Sequence, residues 1–213
     1  MQSSNYTTFY VVRHGETEWN VKKLLQGQGD SPLTTNGINQ ASVLGEKLRK
    51  IHFDAVFSSD LLRAQRTAEI ITVDRDIAIN TTALLRERAH GKWEGKPYSI
   101  YHKELKDLLT KKNKLSYEEK KSFKYPDMES DEEVVSRFIT FLRETAVAYT
   151  GKTILVVTHG GMMRAILIHI GFGTYDELAS NAVSNSAYFQ LQSDGIEFHI
   201  KETQGIIKSI HNL

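Results

Sequence analysis

Three short runs, each leading into residues suited to hold an anion, constrain this chain more than any other feature. Phe9-Tyr10-Val11-Val12 is apolar and rich in β-formers, and reads as a buried strand ending at Arg13-His14-Gly15. Asp54-Ala55-Val56-Phe57 is the second. The capping residues Ser58-Ser59-Asp60 follow it at once, then a helix from Leu61 to about Ile71 with Arg63 in its first turn. The third, Thr153-Ile154-Leu155-Val156-Val157, is the most strand-like run present. It passes through Thr158-His159-Gly160-Gly161 into the apolar helix Met162 to Ile170. Strands alternating with helices predict an α/β sandwich with a mostly parallel central sheet. In such sheets the ligand crevice lies beyond the carboxyl ends of the strands, where all three runs deliver their polar residues.

The remaining segments fit that frame. Thr34 to Lys50 carries a helical stripe of Ile38, Ala41, Leu44, Gly45 and Leu48. A helix starts at Ser130, with Glu133 completing a capping box and Val134, Val135, Phe138, Phe141 and Leu142 facing inward. Ala187 to Leu191 and Ile196 to Ile200, joined through Ser193-Asp194-Gly195, predict a closing antiparallel hairpin. The 213 residues suit one domain spanning 1–213. Residues 96–130, rich in Lys, Glu and Tyr with weak helical pieces, read as an insertion capping one end of its core.

Composition narrows the chemistry. There is no cysteine, which excludes disulfides, thiolate metal sites and a cysteine nucleophile. A formal net charge of +1 makes no global case for nucleic acid or an anionic membrane, so anion binding must come from a local cluster. The polar start, Met1 to Thr8, lacks the pattern of a secretory signal. The longest apolar stretch, around Met162 to Ile170, is too short for a membrane span and contains Arg164 and His169. The expectation is a soluble, cytoplasmic protein.

The strand-end residues suit phosphoryl transfer, which asks for a nucleophile, positive groups around the phosphate oxygens, and a proton for the leaving oxygen. A neutral imidazole is an effective nucleophile near neutral pH, so His14 is the candidate phosphate acceptor. Arg13 and Arg63 would clamp the phosphate by forked hydrogen bonds. The ring of His159 and the amide of Gly160 at a helix N-terminus would add donors. Glu87, in Leu85-Arg86-Glu87-Arg88-Ala89-His90-Gly91, is the candidate proton donor, with Glu94 as a rival carboxylate. Each residue taken singly has an ordinary reading: a turn histidine for His14, a solvated helix residue for Arg63, an ion pair with Arg86 or Arg88 for Glu87. The other histidines, His52, His102, His169, His199 and His211, show no ligand spacing. The lysines between Lys103 and Lys124 read as a solvated face that would also draw in an anion.

Five segments in order carry a resemblance over roughly residues 8 to 200. They are Arg-His-Gly-Glu-Thr (Arg13 to Thr17), Leu-Thr-x-x-Gly (Leu33 to Gly37), Ser-x-x-x-x-Arg-Ala-x-x-Thr-Ala (Ser58 to Ala68), Glu-x-x-x-Gly-x-x-Glu-Gly (Glu87 to Gly95) and Thr-His-Gly-Gly (Thr158 to Gly161). Together they resemble the histidine phosphatase superfamily in its phosphoglycerate mutase-like branch. The resemblance implies a three-layer α/β/α sandwich without metal or other cofactor. It implies catalytic roles for His14, Arg13, Arg63, His159 and Glu87, and substrate contacts from Thr17, Asn20, Gln26, Gly27 and Gly160. The substrate would be a small phosphorylated metabolite, and a homodimer is compatible with the family. Two positions depart from its pattern: Met128 stands where glycine is usual in the element Tyr125 to Ser130, and His90 where an aromatic residue is common. His90-Gly91-Lys92-Trp93-Glu94-Gly95 looks more like the phosphatase members than the Tyr-Gly-x-Leu-Gln-Gly of the mutases. A phosphatase is therefore the favoured reading. The alternatives are a cofactor-dependent phosphoglycerate mutase and a non-catalytic phosphate-binding regulatory protein.

Overall fold

A computed structural model describes residues 5–209, so the first four residues of the polar start, and His211, lie outside the described part. In chain order the elements begin β1 (Thr7–Arg13), α1 (Glu18–Val21), α2 (Thr35–Leu48), β2 (Ala55–Ser59), α3 (Leu62–Ile71) and β3 (Ile79–Thr82). The short helices α4 (Tyr98–Glu104), α5 (Lys106–Asn113) and α6 (Tyr117–Ser122) follow. The chain then runs through α7 (Asp131–Ala148), β4 (Thr153–Thr158), α8 (Gly160–His169), β5 (Val183–Ser193) and β6 (Phe198–Ile206). Among the described residues six strands form one sheet in the order β3-β2-β4-β1-β5-β6. The β1–β4, β4–β2 and β2–β3 pairings are parallel, and β5 and β6 close the sheet as antiparallel strands.

The two most apolar runs are the central neighbours β1 and β4, and their alternate residues serve two different cores. Phe9, Val11, Ile154 and Val156 meet α7 and α8 through Val134, Phe138, Phe141, Leu142, Met162 and Ile166. Tyr10, Val12, Leu155 and Val157 meet α2 and α3 through Leu44, Leu48, Ala64, Ala68 and Ile71. Each buried side chain of this size contributes about 1.5–3 kcal/mol of transfer free energy. These two cores make the molecule three-layered, an α/β/α sandwich. α7 starts as expected: Ser130 Oγ accepts from the Glu133 amide at 3.1 Å, and the Glu133 carboxylate accepts from the Ser130 amide at 2.8 Å.

Four features depart from the sequence pattern. α1 has four residues, too few to show an apolar stripe, and is held by Thr17 and Asn20 as a capping box. β3 is polar because it lies on the sheet edge, with β2 as its one neighbour. The helix after β4 begins two residues earlier than its apolar run, at Gly160. Ile196 belongs to the hairpin turn rather than β6, since the Asp194 carboxylate accepts from the amides of Ile196 and Glu197 at 2.9 Å each.

Residues 96–130 fold as α4, α5, α6 and the turn that leads to α7. Leu105, Tyr125 and Met128 join Leu25 and Trp93 in a small core distinct from the two that flank the sheet. At Met128 the left-handed residue is its neighbour Asp127, with φ 63°, and the methionine side chain is buried in that small core. Among the described residues no helix is long and apolar enough to cross a membrane.

Candidate active site

Strand register brings the two histidines together. Arg13 lies opposite Thr158, so the next residues, His14 and His159, leave the sheet side by side with ring centroids 5.1 Å apart. The His14 amide donates to Thr158 O at 3.0 Å, and His14 O accepts from the Asn185 side chain at 3.2 Å and the Ser186 amide at 3.3 Å. The turn past His14 is possible because two glycines meet. A Cβ on Gly15 would lie 2.4 Å from Gly37 O, and one on Gly37 would lie 2.0 Å from Glu16 O. That approach gives the glycine of Leu-Thr-x-x-Gly a physical role: it lets α2 abut the strand-end turn.

His14 is buried, and its Nδ1 lies 2.7 Å from Gly15 O. A carbonyl oxygen only accepts, so Nδ1 carries the proton and Nε2 holds the free lone pair. Burial, then the neighbouring Arg63 and Arg13, hold this imidazole well below its ordinary titration range. The ring is therefore neutral near pH 7. His159 is fully buried, and among the described residues neither ring nitrogen has a hydrogen-bond partner. Burial and then Arg63 push its titration down as well.

The two arginines are held in unequal ways. Arg13 donates from Nη1 to Val183 O at 2.6 Å, leaving a buried, unpartnered Nε. Arg63 is 1% exposed. It donates from Nη2 to Gly27 O at 2.7 Å, and from Nη1 to Gly29 O at 2.7 Å and Asp30 Oδ1 at 3.2 Å. Its Nε has no partner. The full fork of Arg63 is thus not open to phosphate, because loop 27–30 wraps over its terminal nitrogens. Among the described residues the unpartnered buried donors here include the two guanidinium Nε groups, His159 and the Ser186 hydroxyl. Orphaned buried donors of this kind cost about 1–3 kcal/mol each unless a ligand satisfies them. An oxyanion seated beside His14 would do so.

Glu87 lies against the start of α8, where its Oε2 accepts from the Gly161 amide at 2.8 Å and its Oε1 from the Arg88 amide at 2.7 Å. The rival Glu94 is engaged in a structural task. Its Oε1 accepts from the amides of Gln28 and His90, at 3.0 and 2.8 Å, tying loop 27–30 to the segment after Glu87. Arg86 pairs bidentately with Asp60 and Arg88 pairs with Asp131, so neither is the ion-pair partner of Glu87.

The remaining expected contacts divide. Thr17 and Asn20 cap each other, and Asn20 Oδ1 also accepts from Asn185 at 3.3 Å. Gln26 is buried with an unpartnered Oε1. Gly27, at φ 56°, supplies the carbonyl that holds Arg63. Gly160 abuts Arg13, whose Nε would lie 2.9 Å from a Cβ at that position. His90 is titrated down to about 4, chiefly by burial, and packs edge-on to Tyr101 of the cap. Pattern reading misses Asn185, Thr67, Glu129 and Arg137. Thr67 accepts from the Gly15 amide at 3.1 Å and falls within the Ser58-to-Ala68 segment, so a signal for it existed. Glu129 falls within the element Tyr125 to Ser130, whereas Asn185 and Arg137 act through contacts far along the chain. Among the described residues no three His, Asp or Glu side chains assemble as a metal cluster.

The family model of the histidine phosphatase superfamily (branch 1) matches residues 9–204. The chain belongs to that superfamily. It is 33% identical over 196 residues to the uncharacterized phosphatase PhoE of Bacillus subtilis (strain 168), covering 92% of this chain and 93% of the relative. It is 36% identical over 155 residues to the probable phosphoglycerate mutase GpmB of Salmonella arizonae, covering 71% of this chain and 68% of the relative. Among solved structures, YhfR of Bacillus stearothermophilus superposes with a TM-score of 0.81 at 30% identity, covering 94% of this chain and 98% of that one.

Proposed function

We propose that this chain is a phosphatase that hydrolyses a small phosphorylated metabolite, without a bound metal, through a phosphohistidine on His14. The observation that carries the reading is the free Nε2 of a neutral His14 beside unpartnered donors of Arg13, Arg63 and His159. In the first step Nε2 attacks phosphorus, the bond from phosphorus to the ester oxygen breaks, and Glu87 gives its proton to the departing alcohol. The negative charge of the bound phosphate favours a protonated ring at His159. In the second step water attacks phosphorus while Glu87 takes back a proton. The phosphorus–nitrogen bond breaks, and inorganic phosphate leaves with the His14 lone pair restored. The guanidinium groups and His159 hold the equatorial oxygens throughout. The chain acts as one domain, with residues 96–130 as the cap over the leaving group.

The test is hydrolysis of p-nitrophenyl phosphate in EDTA. Wild type turns over and His14→Ala loses at least about 10³-fold. Persistent activity in His14→Ala, or full dependence on a divalent metal, would overturn the reading. A panel of sugar phosphates and phosphorylated acids then identifies the leaving group. The likeness to GpmB keeps one second reading in view: a phosphoglycerate mutase would isomerise phosphoglycerate with stimulation by the 2,3-bisphosphate.

A further inference from the structure

Glu87 stands on a segment that does not hold itself in place. Residues 86–90 belong to no helix or strand, and only a short 3₁₀ turn, Ala83–Leu85, precedes them. A carboxyl that must meet a leaving oxygen needs its backbone fixed to within a fraction of an ångström. The fixing comes from α7, some fifty residues away. Arg137 Nη1 donates to Leu84 O at 2.9 Å and Arg86 O at 2.5 Å, and its Nη2 donates to Glu87 O at 3.0 Å. The guanidinium is itself held in a forked pair with Glu129, Nε to Oε1 and Nη2 to Oε2, both at 3.0 Å. Glu129 then closes the segment from its other end. Its Oε2 accepts from the Ala89 amide at 2.8 Å, and its own amide donates to Ala89 O at 3.0 Å. Three carbonyls before and at Glu87, and the amide and carbonyl two residues after it, are thus tied to one ion pair.

We infer that the Arg137–Glu129 pair is the positioning device of the general acid: it touches no substrate, and it sets the backbone from which Glu87 reaches the leaving oxygen. The inference rests on the proposed role of Glu87 as proton donor. A planar fork matters here, because lysine offers a point charge and cannot serve three carbonyls and a carboxylate at fixed angles.

The experiment compares kcat/KM for p-nitrophenyl phosphate, whose leaving group departs without a proton, with that for an alkyl phosphate monoester, whose leaving group needs one. Glu87→Gln is the reference, with the alkyl ester falling far more than the aryl ester. Arg137→Met, Arg137→Lys and Glu129→Gln are each expected to lose about 10²-fold on the alkyl ester and less than about 3-fold on p-nitrophenyl phosphate. Arg137 also adds to the positive field at His159. Restoration of the alkyl-ester rate by Arg137→Lys would assign the effect to that charge and overturn the inference. Equal losses on both esters would mean general destabilisation, and would overturn it too. Glu129→Gln keeps the test open if the Arg137 variants fold poorly, because it leaves the guanidinium in place. If Glu87→Gln itself shows no dependence on leaving group, the role of Glu87 fails. If only the Arg137 and Glu129 variants lack it, the positioning role fails alone.

Discussion

Gly161→Ala should displace Glu87, the proposed general acid, while leaving the fold intact. Gly161 lies in the first turn of α8 and does not use a left-handed backbone, so alanine fits its conformation and should favour the helix by up to about 1 kcal/mol. The new methyl, however, would lie 2.6 Å from Glu87 Oε1 and 3.0 Å from both the carboxyl carbon and Oε2. Ordinary contacts need about 3.5 Å, so the carboxyl must retreat by about 1 Å, and it is the movable end of its side chain. Retreat breaks the 2.8 Å hydrogen bond from the Gly161 amide, the contact that aims Oε2. A displacement of that size costs on the order of 10² in rate, against about 10²–10⁴ for losing an acid altogether. The assay is kcat/KM on an alkyl phosphate monoester beside p-nitrophenyl phosphate, with a thermal melt of each protein. The expected result is a loss of about 10²-fold on the alkyl ester, a small change on the aryl ester, and a melting temperature unchanged or raised. Full activity on the alkyl ester would refute the placement of Glu87, and a collapse in melting temperature would refute the reasoning about α8.

Two further predictions concern stability. His14 and His159, held down chiefly by burial, and His90, titrating at about 4, bind fewer protons in the folded protein than in the unfolded chain below about pH 6.5. Their contribution is therefore complete above that pH and is lost as pH falls toward the folded values. Urea titrations at pH 7 and pH 5 should show a weaker protein at pH 5, with a shallower loss in His90→Gln; an unchanged difference in that variant would exclude His90 as a cause. Asp131 is 3% exposed and receives Lys112 Nζ and the Tyr175 hydroxyl at 3.0 Å each, together with Arg88, so it joins α5 to the start of α7. Despite burial, Arg88 and Lys112 hold its carboxyl down to about 2, so its stabilisation stands above about pH 4 and is lost as pH falls toward 2. Asp131→Asn leaves two largely buried cations unpaired and should cost about 3–5 kcal/mol by urea titration, partly recovered by adding Lys112→Met. A loss below about 1 kcal/mol would show that the cations find other partners.

What the sequence determined by itself was local. Apolar runs such as Phe9 to Val12 and Ile154 to Val157 specify buried strands because their own side chains leave no polar face. Ser130 and Glu133 specify a helix start because a capping box spans only four residues. The strand-end residues Arg13, His14 and His159 were legible for the same reason: each sits next to the run that delivers it. The tertiary structure decided what depends on partners distant in the chain. It put His14 beside His159 through the register of β1 and β4, and took the fork of Arg63 for the carbonyls of loop 27–30. It separated two similar carboxylates, aiming Glu87 at Gly161 and spending Glu94 on the amides of Gln28 and His90. It also recruited Arg137, whose place on an amphipathic helix gives no hint of three carbonyl partners. Hydrophobic periodicity is written in neighbouring residues, whereas a hydrogen bond across fifty residues exists only once the chain has folded.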